Sequence, residues 1–288
     1  MTTIKVTALV ASAAFVVATP AEAQAPVLSP RYVEVDGWAV RVLTLGLDDR
    51  ASGEPVFVLQ SGGGASLETW PPSLLRNIAA LAPVVAYDRP GLGLSQFYGQ
   101  DPSPQRVAAH LTALLEVLGV GPPYILVGHS WGGPLILYFA AQRSQDISGL
   151  VYIDPSLPNQ DRLPTDSAER ATVVAQIESF RERAGPGVRA SYDYWLTPPD
   201  ERAVPANPDV PTAAVLGTLL GSDVPVSERA AMQESQERRV EETRTWLQDV
   251  DPLHFVVAPH VGHFVHRDDP DLAAEAIRQV FNWAHRRP

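Results

Sequence analysis

Short apolar runs alternate with longer stretches of helical periodicity along most of the chain. Alternation of this kind predicts an α/β fold built on a mainly parallel sheet with helices on both faces. An Asp36-Gly37 turn inside residues 32–46 predicts a β-hairpin ahead of these runs. The apolar runs that predict buried strands are Val56–Leu59, Val84–Tyr87, Tyr124–Val127, Leu150–Ile153, Ala213–Leu216 and Phe255–Ala258.

The clearest predicted helix covers residues 103–118. Ser103 is placed to cap it, Pro104 suits its first turn, and Gly119 ends it. Its apolar residues recur at helical spacing on one face: Val107, Leu111, Leu114, Leu115 and Leu118. Further helices are predicted over about residues 132–143 and 167–183, and from 269–270 to about 286.

Residues 155–209 break this rhythm. They are rich in proline, and they carry one helix with amphipathic spacing (167–183) and an aromatic cluster of Tyr192, Tyr194 and Trp195. The sequence therefore predicts a core formed by residues 24–154 and 210–288, with a cap inserted at 155–209.

The first residues have the features of a secretory signal peptide. Lys5 precedes an apolar stretch from Val6 to Ala18, and Ala21-Glu22-Ala23 gives a cleavage site of small residues. The stretch is shorter than the roughly 20 residues that span a bilayer. The sequence predicts removal of residues 1–23 and a periplasmic or secreted mature protein.

Composition narrows the range of partners. The 288 residues carry 22 basic and 33 acidic side chains, a formal charge of −11, and Lys5 is the one lysine. An acidic surface argues against nucleic acid or an anionic membrane as a partner. With no cysteine, the chain has no disulfide, no thiol nucleophile and no lipoprotein anchor.

The segment Gly128-His129-Ser130-Trp131-Gly132 matches the pattern G-x-S-x-G. It follows an apolar strand and precedes a helix, which is the context of a nucleophile elbow. In such an elbow the serine lies in a sharp, strained turn at a helix N-terminus. Larger residues at the two glycines would clash. The pattern predicts that Ser130 is a nucleophile.

A serine nucleophile needs a general base, and seven histidines are available. His263 follows the last predicted strand, at the edge of the sheet where catalytic groups gather, and is the predicted base. His266 is the alternative, more consistent with a surface or supporting position. The other histidines suit structural or surface positions: His110, His129, His254, His260 and His285.

Two aspartates could orient the base. Asp154 ends the strand after the nucleophile helix, and Asp223 follows the strand after the insertion. Both come after the serine and before the histidine, which is the required chain order. Asp154 is preferred because the strand that precedes Asp223 lacks a well-formed acid position at its end.

The backbone N–H groups of Trp131 and Gly63 are the predicted oxyanion hole, with Gly64 beside them. The glycine-rich loop around Gly63 lacks the Lys-Ser/Thr of a phosphate-binding P-loop. Gly64, Phe264 and Trp195 are predicted to contact the substrate. The aromatic cluster of 192–195 fits an apolar pocket and the packed interior of a cap equally well.

The motifs together resemble the α/β-hydrolase fold family over nearly all of the predicted mature chain. They are Ser61-Gly62-Gly63-Gly64, Asp88-Arg89-Pro90-Gly91, the elbow at 128–133, and Gly262-His263-Phe264. The resemblance implies an eight-stranded sheet, a cap after the sixth strand, and no cofactor or metal.

The chain departs from the family at two positions. Ser61-Gly62 stands where His-Gly is usual, and the acid position after the seventh strand is poorly formed. Haloalkane dehalogenase-like members place the acid after the sixth strand, which Asp154 matches. Those enzymes and the related epoxide hydrolases use an aspartate nucleophile, so Ser130 argues against both activities.

The predicted function is hydrolysis of carboxylic ester or lactone bonds in a small, largely apolar substrate. An aminopeptidase or amidase of the proline iminopeptidase type is the alternative enzyme. Glu169, Glu178 and Glu182 are its candidate ligands for a substrate amine. The third hypothesis is a ligand-binding protein on a hydrolase scaffold, against which the presence of both Ser130 and His263 argues.

Overall fold

A single eight-stranded sheet forms the body of the protein. The computed structural model describes residues 28–100, 102–158 and 167–286. The predicted signal peptide, residues 1–23, lies outside the described residues. The strands are β1 (Arg31–Val35), β2 (Trp38–Leu45), β3 (Val56–Gln60), β4 (Val84–Tyr87), β5 (Tyr124–His129), β6 (Ile147–Ile153), β7 (Thr212–Gly217) and β8 (Leu253–Ala258).

The spatial order of the strands is β1-β2-β4-β3-β5-β6-β7-β8. β1 and β2 form the predicted antiparallel hairpin, and β2 pairs antiparallel with β4. All neighbouring pairs from β4 to β8 are parallel, so the carboxyl ends of these strands lie along one edge. The predicted fold class, a mostly parallel eight-stranded sheet, is confirmed.

Eight α-helices accompany the sheet in the described part of the chain. They are α1 (Pro72–Ala79), α2 (Pro104–Val117), α3 (Gly132–Gln142), α4 (Ser167–Arg183), α5 (Pro186–Leu196), α6 (Val226–Trp246), α7 (Val265–Asp268) and α8 (Pro270–Ala284). None of the helices among these described residues is long and apolar enough to cross a bilayer.

The hydrophobic core lies in two layers, one on each face of the sheet. On β3, Phe57 and Leu59 face the layer that α1 and α8 cover. Val56 and Val58 point to the opposite layer, which α2 and α3 cover. Alternate residues of one strand thus serve two cores, which explains why the central strands are apolar throughout.

The insertion predicted for 155–209 contributes α4 and α5, and its residues 159–166 lie outside the described part of the chain. α5 lies against the body at Gly187. A Cβ on Gly187 would lie 2.7 Å from the carbonyl oxygen of Gly91. α4 forms where helical spacing predicted it, but it buries none of its residues because it packs on α5 and not on the sheet.

Candidate active site

Ser130 lies in a strained turn between β5 and α3. Its φ of 52° is in the left-handed region, which is rare for a residue with a side chain. A Cβ on Gly128 would lie 2.6 Å from the carbonyl oxygen of Gly132. A Cβ on Gly132 would lie 2.1 Å from the carbonyl oxygen of Gln60. Both glycines are therefore required for the close approach of strand, turn and helix.

The structure brings Asp154 and His263 together at the carboxyl edge of the sheet. Asp154 follows β6 and His263 lies in the loop after β8. Oδ2 of the aspartate is 2.6 Å from Nδ1 of the imidazole. Oδ1 of Asp154 accepts a 2.8 Å hydrogen bond from the N–H of Gly217. Asp223, the alternative acid, lies exposed in the turn before α6.

Ser130 and His263 line the same cavity, which has a volume of about 250 Å³. The cavity is bounded by the end of β6, the end of β7 and one face of α6. It is a largely polar space, and the aromatic cluster of residues 192–195 does not line it. Its polar lining residues are Ser130, Asp154, Ser156, Gln236, Arg239 and His263.

Arg239 reaches the site from α6, a helix that the sequence pattern did not predict. Its Nη1 donates a 2.9 Å hydrogen bond to Oδ1 of Asp154, and its Nη2 donates to the carbonyl oxygen of Gly217 at 2.7 Å. Asp154 is almost fully buried, with 4% of its side chain exposed. A buried carboxylate needs partners of this kind to remain ionised.

Two further buried histidines, His129 and His266, lie close to His263. Nε2 of His129 lies 3.0 Å from the carbonyl oxygen of His263. The rings of His129 and His266 are 4.3 Å apart. Burial, followed by the charges of neighbouring histidines, lowers the pKa of each from 6.5 to about 3. Both rings are therefore neutral at pH 7 and add no charge beside His263.

His266 is fully buried, so of the two positions expected from sequence, surface or supporting, the surface position is wrong. The loop after β8 turns directly into α7, which directs this ring inward against Trp70 at a centroid distance of 4.8 Å. Its Nε2 lies 3.1 Å from the hydroxyl of Thr69. His266 thus belongs to the packing below the site.

The glycine-rich loop after β3 lies against the nucleophile. A Cβ on Gly62 would be 3.2 Å from Cβ of Ser130, and a Cβ on Gly63 would be 3.6 Å from Cβ of Trp131. The backbone of Gly63 therefore runs beside the first turn of α3. This is the neighbourhood in which an oxyanion hole formed by the N–H groups of Gly63 and Trp131 is expected.

Arg89 supports this loop, a role that its sequence motif does not reveal. Its buried guanidinium donates to the carbonyl oxygens of Ser61 and Gly62 at 2.5 and 2.6 Å. Burial lowers the pKa of Arg89 to about 10, so the side chain remains charged at pH 7. The two charge-assisted hydrogen bonds fix the peptide groups that precede Gly63.

The residues predicted to contact the substrate lie in three different environments. Trp195 is buried in a cluster where Tyr194 and Trp195 of α5 pack on Trp131, so it helps to hold the insertion on the body. Phe264 is 40% exposed and its ring lies 5.2 Å from that of His263. Gly64 is exposed, with a φ of 73°.

No group of three or more potential metal ligands occurs among the residues that the structure describes. The functional groups that the structure places at the site are a serine hydroxyl, an imidazole, a carboxylate and peptide N–H groups.

Comparison with known proteins agrees with the architecture. A family model described as alpha/beta hydrolase fold matches residues 55–192, which include the elbow, the glycine-rich loop and Asp154. The chain has the α/β-hydrolase fold. It is similar in structure to a thermophilic esterase from Thermogutta terrifontis, with a TM-score of 0.63 and 19% identity. That match covers 89% of this chain and 99% of the esterase.

Curated relatives match in sequence over shorter segments. The uncharacterized protein YqjL of Bacillus subtilis is 33% identical over 108 residues, which are 38% of this chain and 42% of the relative. A haloalkane dehalogenase of Sphingobium indicum is 28% identical over 175 residues, 55% of this chain and 56% of the relative. The chain thus spans less than half the length of the first curated relatives that it matches.

Proposed function

We propose that this hydrolase cleaves carboxylic ester or lactone bonds of a small molecule through an acyl-enzyme on Ser130. One observation carries the proposal. The imidazole of His263 is bonded to the buried carboxylate of Asp154 and shares a cavity with Ser130. A base oriented by a carboxylate beside a serine is the arrangement that activates a hydroxyl for attack on a carbonyl.

The proposed reaction has two steps. Ser130 attacks the carbonyl carbon while Nε2 of His263 takes the hydroxyl proton, and Asp154 stabilises the imidazolium that forms. The N–H groups of Gly63 and Trp131 would bind the negative oxygen. The imidazolium then protonates the leaving alcohol. His263 next activates a water that releases the acid from Ser130.

The nucleophile argues for a carbonyl substrate rather than an alkyl halide or an epoxide. Attack by a serine hydroxyl on a saturated carbon would leave an ether, which water cannot hydrolyse under mild conditions. Attack on a carbonyl leaves an ester, which a second general-base step hydrolyses. The similarity to a haloalkane dehalogenase therefore supports the fold and not that activity.

The polar cavity refines the expected substrate. Ser156 and Gln236 line it with a hydroxyl and an amide, in addition to the triad. A substrate group that enters this space is favoured if it carries hydrogen-bonding oxygens, since burying these side chains against an apolar group would cost their hydration. Esters of small oxygenated acids or alcohols fit this space better than long-chain lipids.

No specific observation favours the aminopeptidase alternative. Glu169, Glu178 and Glu182, its candidate ligands for an amine, lie exposed on α4. Parallel assays of p-nitrophenyl butyrate and proline p-nitroanilide separate ester from amide hydrolysis.

The test of the proposal is hydrolysis of p-nitrophenyl butyrate by the wild type and Ser130→Ala. Ser222→Ala is the control, since Ser222 is exposed in the turn before α6. We expect turnover by the wild type and the control, and a loss of about 10³-fold or more for Ser130→Ala. Equal rates for all three proteins would refute the assignment of Ser130.

A further inference from the structure

Helix α6 crosses the cavity beside Ser130 and is itself very polar. Thr243 is its one buried residue. A helix with so little buried apolar surface gains little from the hydrophobic effect when it docks. Arg239 and Gln236, one turn apart on α6, both line the cavity and supply polar contacts instead.

The guanidinium of Arg239 makes hydrogen bonds in three directions. Nη1 donates to Oδ1 of Asp154 and Nη2 to the carbonyl oxygen of Gly217. Nε and Nη2 both donate to Oε1 of Gln236, at 3.0 and 2.7 Å. The planar, rigid fork of an arginine suits such a set, whereas the single ammonium of a lysine does not.

These bonds close a ring around the carboxylate. Gly217 donates through its N–H to Oδ1 of Asp154 and accepts through its carbonyl from Arg239, which itself donates to the same Oδ1. The carboxylate cannot rotate without breaking two hydrogen bonds at Oδ1. Its other oxygen, Oδ2, therefore stays directed at Nδ1 of His263.

The backbone of Asp154 makes this restraint more important. Its φ is 43°, in the left-handed region. A residue in that region is kept there by its surroundings. The bonds to Gly217 and Arg239 are among those surroundings, together with the N–H of Asp154 that donates to the carbonyl oxygen of Val215 at 2.7 Å.

We propose that Arg239 is a positioning residue of the catalytic triad, which holds the carboxylate of Asp154 in line with His263 and offsets part of its charge. This inference rests on the proposed function, because it concerns the same triad. Arg239 acts through Asp154, and no contact of Arg239 with the reacting atoms is required.

The charge of Arg239 sets a direction for the pH dependence. Without it, the full negative charge of Asp154 would favour the protonated imidazole of His263, which cannot act as a base. The acidic limb of the pH–rate profile would then move to higher pH. Besides Arg239, the titratable or charged groups close to His263 are Asp154, His129 and His266, and Arg267 lies beside His266.

The experiment compares Arg239→Met and Arg239→Lys with the wild type, and uses Arg238→Met as the matched control. Arg238 is the next residue on α6, exposed and paired with Glu234 on the surface. The readouts are kcat and KM for p-nitrophenyl butyrate between pH 5 and 9, and the thermal midpoint.

For Arg239→Met we expect kcat to fall about 10- to 100-fold with little change in KM, since a misplaced catalytic group costs rate more than binding. We also expect the acidic limb to move to higher pH, because the cation beside Asp154 is gone. Arg239→Lys keeps the charge and should leave the limb in place while kcat falls. Arg238→Met should behave as the wild type.

If Arg239 had a purely structural role, Arg239→Met would lower the thermal midpoint and the amount of active enzyme. The acidic limb of the pH–rate profile of the remaining active enzyme would stay in place, and that result would overturn the proposal. If Arg239→Met does not fold, Arg239→Lys and Gln236→Leu test the positioning part of the proposal through kcat, because each weakens the fork without removing the cation. Unchanged kcat in both of these would also refute it.

A spectroscopic readout separates this proposal from the proposed function. The low-field proton signal of the Nδ1–H of His263 and the ¹⁵N titration of its ring need no turnover. A wild type without esterase activity would refute the ester assignment, while a titration of His263 that moves to higher pH in Arg239→Met would still support the positioning role. An identical titration in both proteins would overturn it.

Discussion

The carboxylate of Asp154 and the imidazole of His263 are joined by a 2.6 Å hydrogen bond, although the residues are 109 positions apart in the chain. The topology of the sheet explains this contact. β6 pairs in parallel with β7, and β7 with β8, so the segments that follow β6 and β8 leave the sheet at the same edge. Gly217 at the end of β7 lies between them and contacts the carboxylate.

This relationship predicts which aspartate serves the triad. Asp154→Asn should lower kcat for p-nitrophenyl butyrate by about 10³- to 10⁴-fold, because an amide cannot hold the imidazole in the required tautomer and stabilise its protonated form. Asp223→Asn should leave kcat within about twofold of the wild type, because Asp223 is exposed and outside this network. The reverse ranking of the two variants would assign the acid to Asp223.

The buried guanidinium of Arg89 makes a second prediction. Arg89→Met would leave the carbonyl oxygens of Ser61 and Gly62 without their donors, so we expect a loss of about 2–4 kcal/mol in the free energy of unfolding by urea. The same change should lower kcat, because these peptides precede Gly63. Arg76→Met, at an exposed position on α1, is the control. Equal stability of both variants would contradict the role given to Arg89.

The contact between Gly91 and Gly187 predicts how the insertion is held. Gly187→Ala would place a methyl group 2.7 Å from the carbonyl oxygen of Gly91, so α5 must shift. We expect a changed ratio of kcat/KM between p-nitrophenyl acetate and p-nitrophenyl octanoate. Gly185→Ala is the control, since a Cβ there meets no atom within 4 Å. The same ratio in both variants would show that this contact does not set selectivity.

The buried histidines predict a loss of stability in acid. The pKa of His266 is about 3 in the folded protein, against 6.5 for an unperturbed ring. Above pH 6.5 the ring is neutral in both the folded and the unfolded protein, so it does not change the free energy of unfolding. Between pH 6.5 and 3 the ring binds a proton only in the unfolded protein, and the free energy of unfolding falls by about 1.4 kcal/mol per pH unit as the pH drops.

The measurement is the free energy of unfolding by urea at several values between pH 7 and 4.5. His266→Gln should reduce the slope against pH relative to the wild type. His285→Gln, at an exposed position, should not. Parallel curves for all three proteins would show that His266 does not titrate on unfolding.

The sheet was predictable because its strands are short apolar runs separated by turn residues. The elbow was predictable because the strained φ of Ser130 requires Gly128 and Gly132 in fixed places. The sequence favoured Asp154 over Asp223 but could not decide between them, since both satisfy the chain order of a triad. The deciding fact is the adjacency of β6, β7 and β8, which is tertiary.

Helix α6 escaped prediction because it buries almost no apolar surface and so has no hydrophobic period. Arg239 and Arg89 were missed for a related reason. Both donate to backbone carbonyl oxygens. Every residue type has such an oxygen, so the sequence does not show which residue is the acceptor. The one available signal was the position of Arg89 in the Asp88-Arg89-Pro90-Gly91 motif, two residues after the end of β4.

We propose that Ser130 is a nucleophile activated by His263. The most direct measurement is mass spectrometry of the hydrolase after reaction with a fluorophosphonate, with Ser130→Ala and His263→Ala treated in parallel. We predict one covalent adduct, located on Ser130 in the wild type, absent from Ser130→Ala and formed far more slowly in His263→Ala. No adduct in the wild type, or an adduct that persists in Ser130→Ala, would contradict the claim.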